Sequence, residues 1–202
     1  MTSNWTRHAI FLSWFTIGYN LVEGAVSITF GVDDESVALA GFGIDSLIEV
    51  ASAALVLWRF RVHDVSRERK ATLSIGILFL LLALVTAIAS IFQLQTGAHP
   101  ATTVPGLAIS AASLSFMFWL WSAKRGVARQ LNSASMMKDA TCSLVCIQLS
   151  LVLFVGSLTF ALIPSLWWID SAAALVIAAL IGKEGWATVR STQHPEFSGG
   201  CT

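Results

Sequence analysis

An all-α, polytopic membrane protein, a bundle of six transmembrane helices with both termini cytoplasmic, is predicted for this chain by three observations. Of its 202 residues 55% are hydrophobic and only 12% are charged, about half the charged share of an ordinary soluble domain, and mean hydropathy is +0.74. The apolar residues gather into six runs near the roughly 20 residues that cross a bilayer core. Lys and Arg, finally, fall only in alternate connections.

The first run, residues 9–30, contains Glu23 and ends in GVDDES without a small-residue cleavage site, so it reads as a span and not as a removable leader. The second, 36–58, carries Asp45 and Glu49; the third is 71–95 and the fourth 103–123. The fifth, 139–162, carries Cys142 and Cys146, and the sixth is 165–182. Arg7 precedes the first run; Arg59, Arg61, Arg67, Arg69 and Lys70 follow the second; Lys124, Arg125 and Arg129 follow the fourth; Lys183 and Arg190 follow the sixth. The other connections, GVDDES, QTGAHPATT and IPS, hold none, which sets the basic side as cytoplasmic. No Lys or Arg is expected deep within a span. The short gaps make one domain, 1–187, followed by a short cytoplasmic tail, 188–202, expected to be disordered and too small for a core of its own. Zero net charge gives no footprint for nucleic acid, and three cysteines give no disulfide framework.

Asp45 and Glu49 share one helical face, with Cβ atoms roughly 5–6 Å apart. Adjacent carboxylates repel unless a cation sits between them, and an acid inside a span usually marks an ion pathway. The alternative is a pair facing a water-filled vestibule or a basic partner on another helix. Cys142 and Cys146 repeat the spacing on the fifth helix, where a pair of buried thiols is by itself ordinary packing. Together the two pairs offer two oxygens and two sulfurs, a set that closes a tetrahedral shell around Zn²⁺. On the first helix Thr16, Asn20, Glu23 and Ser27 form a polar stripe, either lining an ion path or hydrogen-bonding between helices. Asp139 shares the face of Cys142 near the cytoplasmic mouth, with Lys138 beside it as a neutralising partner.

Six helices with both ends inside, an acid pair on the second and a ligand pair on the fifth resemble the cation diffusion facilitators, proton-coupled exporters of divalent metals. In that family the second helix carries Asp or His, three residues, then Asp; here Asp45 and Glu49 correspond. On the fifth, KDATCSLVC sets Asp139 at the family's alanine-aspartate step and Cys142 and Cys146 at its ligands. The resemblance runs from YNLVEG to WWIDSAAALVIAALIGKEGW and suggests a short form without the cytoplasmic metal-binding domain. It implies metal ligation by Asp45, Glu49, Cys142 and Cys146, while Asn20, Glu23 and Asp139 are ion-path candidates from their places on the polar faces of the first and fifth helices. It also implies a homodimer, for which Gly and Ala faces of the third and sixth helices are candidates.

Counting about 1.5 Å per residue from the outer helix ends places the cysteines roughly 10 Å deeper than the acids, a gap that a tilted fifth helix would close. Metal ligands bind deprotonated, so loading a cation releases protons and the returning protons release the cation. The reading is therefore a transporter and not an enzyme, with no cofactor, exchanging Zn²⁺ or Cd²⁺ for protons across a lipid bilayer, expected to be a bacterial inner membrane. Its rivals are a membrane thiol redox protein using Cys142 and Cys146, whose spacing suits a disulfide poorly, and a non-transporting scaffold.

Overall fold

The computed structural model describes residues 2–33, 37–61, 65–97, 104–166 and 168–194. They form six long helices, α1 (Thr2–Asp33), α2 (Val37–Phe60), α3 (Val65–Thr96), α4 (Val104–Leu131), α5 (Ala134–Leu162) and α6 (Ile169–Gln193), with one 3₁₀ turn at Pro164–Leu166. All six helices are long and apolar enough to cross a membrane. Among the described residues there is no strand.

Every helix outruns its apolar stretch at one end or both. Charged residues at the ends of a span are still helix formers, and a bundle continues its hydrogen-bond ladder beyond the hydrocarbon. The largest departure lies between α4 and α5, where 124–138 reads as a loop in the sequence. Here Asn132 takes φ 46°, Asn132 N–H donates to Arg129 O at 3.3 Å and Ser133 N–H to Ala128 O at 3.1 Å. That is a Schellman ending, and Ser133 at once caps α5, its Oγ accepting from Met136 N–H. The connection is two residues long, and α4 runs past Lys124. At the other end of the chain α6 extends six residues into the expected tail, to Gln193; residues 195–202, Cys201 included, lie outside the described residues.

Helices α1, α2, α5 and α4 pack in a closed ring, each touching the next, while α3 and α6 pair with one another and lean on α2 and α5. Polarity is inverted relative to a water-soluble bundle. Phe11, Trp14, Leu84, Ile88, Phe92 and Val176 are exposed, whereas Ser13, Ser46, Ser52, Ser110, Ser113, Ser143 and Ser150 are buried. Without a hydrophobic drive between helices in lipid, small and hydroxylated residues make the interfaces, and apolar side chains are left to face the acyl chains.

Two glycine crossings set the helix spacing. A Cβ on Gly43 would lie 2.6 Å from Ile28 Cγ1 and 3.0 Å from Gly24 O, and one on Gly185 would lie 3.0 Å from Gly76 O. Gly43 thus lets α2 lie directly on α1, which brings Asp45 into the ring. Gly76 and Gly185 belong to the α3/α6 crossing within one chain. Gly43→Ala is expected to destabilise the bundle by about 1–3 kcal/mol through overpacking against backbone, read as a lower denaturant midpoint in detergent micelles.

Candidate cation site

The interior of the four-helix ring is a polar file built from one stripe of each helix. On α2, Ile44 and Leu47 face outward while Asp45, Ser46, Glu49 and Ser52 are buried. On α5 the buried stripe is Asp139, Cys142, Ser143, Cys146 and Ser150; on α1 it is Thr16, Asn20, Glu23 and Ser27. Each set recurs every three or four residues, with an adjacent residue joining it at Ser46 and Ser143, so one helical face supplies it.

Glu49 stands at the centre of the file. Its Oε1 accepts from Ser143 Oγ and from Lys124 Nζ at 3.3 Å, while its Oε2 has no hydrogen-bond partner. Lys124 also donates to Ser143 Oγ at 3.0 Å and pairs with Asp139 Oδ2 at 3.0 Å. The side chains of Lys124, Glu49 and Asp139 are all fully excluded from solvent. Asp139 is further held by Ser52, whose Oγ donates to Oδ1 at 2.7 Å.

Two expectations fail here. Lys124 is not a loop cation but the basic partner that the spans were expected to lack. The reason is the two-residue α4–α5 turn, which leaves position 124 two helical turns inside α4. Asp139, in turn, is not neutralised by Lys138, which points outward to Glu184 at 2.7 Å. Successive residues on a helix diverge by about 100°, so an inward Asp139 sends Lys138 away. The signal for Lys124 was present in the sequence: Met117, Leu120, Lys124 and Ala128 follow one helical face, and the other three are buried apolar residues.

Asp45 is different. It is 1% exposed, and neither of its oxygens completes a hydrogen bond. The Cys146 thiol faces it across the α2/α5 contact, and Cys142 lies within electrostatic reach of Glu49, Asp45 and Asp139. Both cysteines are free thiols. The expected depth mismatch between acids and cysteines narrows to less than half, because α2 and α5 align at the end shared by Phe60 and Ala134, where Glu68 meets both Arg59 and Ser135. Asp45 and Glu49 are fifteen and eleven residues from that end and Cys142 and Cys146 eight and twelve, a mean offset of three residues, or about 4.5 Å. Counting from the opposite ends misleads because α5 overshoots α2 there.

The four expected ligands are therefore neighbours, but not a closed shell. Among the described residues no three His, Cys, Asp and Glu side chains converge into a group that could hold a metal ion. Lys124 and Ser143 both hold Glu49 by its Oε1. Beyond Asp45, Glu23 accepts from Tyr19 Oη at 2.9 Å and from Ser46 Oγ at 3.1 Å, which makes it a link between α1 and α2 as well as the next acid along the file. Asn20 donates to Thr16 O at 3.0 Å and leaves its buried Oδ1 unpartnered.

Known proteins resemble this sequence over most of its length. Transmembrane protein 163 of Xenopus laevis is 26% identical over 207 residues, covering 96% of this chain and 73% of that protein. The cation efflux transmembrane domain matches residues 9–193, which is nearly all of the six-helix bundle and includes every residue of the polar file. With its acids gathered inside four helices and its apolar surface turned to lipid, the chain belongs to the cation efflux family of integral membrane proteins, which are metal-cation transporters and not enzymes.

Proposed function

We propose that this chain exports a divalent transition-metal cation, Zn²⁺ or Cd²⁺ first, in exchange for protons, with Asp45, Glu49, Cys146 and Cys142 as its ligands. One observation carries the reading: Asp45 is buried, its oxygens meet no hydroxyl, amide or ammonium donor, and the Cys146 thiol faces it. A carboxylate left unpaired in an apolar bundle is costly, so a site that keeps one is built to receive a cation or a proton. The sulfur favours Zn²⁺ and softer ions over Mg²⁺.

On this reading loading has an order. The free oxygens of Asp45 and Oε2 of Glu49 receive the ion first, and Cys146 adds its sulfur on giving up its proton. Closing the shell requires Glu49 to turn from Lys124, and Cys142 then completes it. Because the ligands bind deprotonated, protons leave as metal enters, and their return discharges it. Glu23 and Asn20 on one side and Asp139 on the other extend the path. The end bearing Arg59, Arg129 and Arg190 faces the cytoplasm, as basic asymmetry favours, in a cell membrane of the bacterial inner kind. A homodimer joins through the spans.

The test is uptake by purified protein in vesicles with an acid interior. Zn²⁺ and Cd²⁺ are expected to enter, Mg²⁺ to be excluded, and a protonophore to halt uptake. Entry that ignores the proton gradient would sink the exchange, and absence of entry by any divalent ion would sink the transport of metals by this site.

A further inference from the structure

The buried lysine is the element of this site that a bare ligand set does not explain. Lys124 brings a fixed cation to within 3.3 Å of a proposed ligand, Glu49, in a place fully closed to solvent. A charge so placed has three roles open to it. It can be a purely structural tie, a permanent occupant that blocks the site, or a counter-ion that exchanges with the cargo.

The contacts separate these roles. Nζ lies nearer to Asp139, at 3.0 Å, and to Ser143 Oγ, at 3.0 Å, than to Glu49, at 3.3 Å. Asp139 is also anchored from α2 by Ser52 at 2.7 Å. Lys124 therefore keeps two partners if Glu49 departs, and Glu49 keeps a free Oε2 with which to meet an ion beside Asp45. Glu49 is the shared, exchangeable partner, whereas Asp139 is the permanent one. Conversely, when the ion leaves, Lys124 stands ready to re-pair Glu49, so the emptied site never holds that carboxylate uncompensated.

On the reading of Asp45 and Glu49 as cargo ligands, we infer that Lys124 is a tethered counter-cation that competes with the transported metal for Glu49, weakening binding and speeding release. It touches no cargo itself, and its effect is exerted through Glu49. The competition has a direct signature. Removing the ammonium tightens metal binding and slows turnover, whereas a residue that merely held the helices together would weaken both when lost.

The experiment measures Zn²⁺ affinity and maximal Zn²⁺ flux together, in the full chain in lipid nanodiscs and vesicles. Lys124→Met is expected to bind Zn²⁺ at least about tenfold more tightly, since even a well-screened unit charge a few ångströms from a divalent ion amounts to that, while maximal flux falls. Lys124→Arg keeps the charge and stays near the parent in affinity. Because Lys124→Met strands Asp139, the double variant Lys124→Met/Asp139→Asn removes the lysine together with its permanent partner; it too must bind more tightly. Unchanged or weaker binding in a folded double variant overturns the proposal. Asp45→Asn separates the two readings: if it abolishes Zn²⁺ binding while the lysine variants bind no tighter, only the counter-cation falls, and if it binds as the parent does, the cargo site itself is misplaced.

Discussion

Zn²⁺ uptake into acid-loaded vesicles is expected to fall by at least about a hundredfold when Asp45 is replaced by Asn, because loss of an outer-shell partner alone costs metal sites about 10–100-fold and here a ligand charge is removed. The substitution is unusually clean. Apart from the facing Cys146 thiol, Asp45 has no hydrogen-bond partner that the fold would lose, and an amide of the same shape removes a buried charge. The denaturant midpoint of Asp45→Asn should therefore be equal to or above that of the parent. Cys146→Ser, which swaps sulfur for a harder donor opposite Asp45, should instead keep part of the Zn²⁺ flux and lose more of the Cd²⁺ flux. Persistent flux in Asp45→Asn, measured as Zn²⁺ accumulation in a sealed vesicle, would remove Asp45 from the pathway.

That prediction rests on a residue conspicuous in the sequence, whereas the residue beside its neighbour Glu49 carries a fainter signal. An acid inside an apolar run is conspicuous at any position, so Asp45, Glu49 and Glu23 stand out before any fold is known. Lys124 is hidden by its company. It sits beside Arg125 at the edge of an apolar run, where basic residues ordinarily mark a cytoplasmic loop, and only the helical phase of Met117, Leu120 and Ala128 shows that it points inward.

The same reasoning explains the depth error between α2 and α5. Apolar run lengths locate the hydrocarbon, but register between helices is set at their hydrogen-bonded ends. The Asn132–Ser133 turn carried that information as a left-handed Asn followed by an N-cap Ser, both recognisable residue types in such a turn. What no single-chain pattern holds is the partnership itself. Glu49 with Ser143 and Ser52 with Asp139 join residues 94 and 87 positions apart, and such pairs follow only from the packed ring. The six-helix plan was legible because bilayer thickness imposes it; the counter-cation was not, because it depends on side-chain direction across three helices.

Glu68→Ala is expected to lower stability by about 3 kcal/mol, at the lower end for breaking a buried ion pair. Glu68 is 2% exposed at the start of α3. It pairs with Arg59 at the end of α2, accepts from Ser133 Oγ at 2.8 Å and from Ser135 N–H at 2.7 Å. One carboxylate thus ties α2, α3 and the first turn of α5, where a negative charge also suits the helix dipole. The loss falls at the lower end because Arg59, 15% exposed, can reach water along its aliphatic stem. The consequence extends to the site, since this tie fixes the end from which α2 and α5 take their common register. Glu68→Ala should let α5 shift against α2, loosen the Ser143 contact to Glu49 and raise the Zn²⁺ concentration needed for half-maximal uptake. Glu68→Gln keeps an acceptor for Ser135 N–H and should retain more of both stability and uptake than the alanine variant. Equal losses in the two variants would show that charge alone holds this corner, and no loss in either would show that the register is set elsewhere.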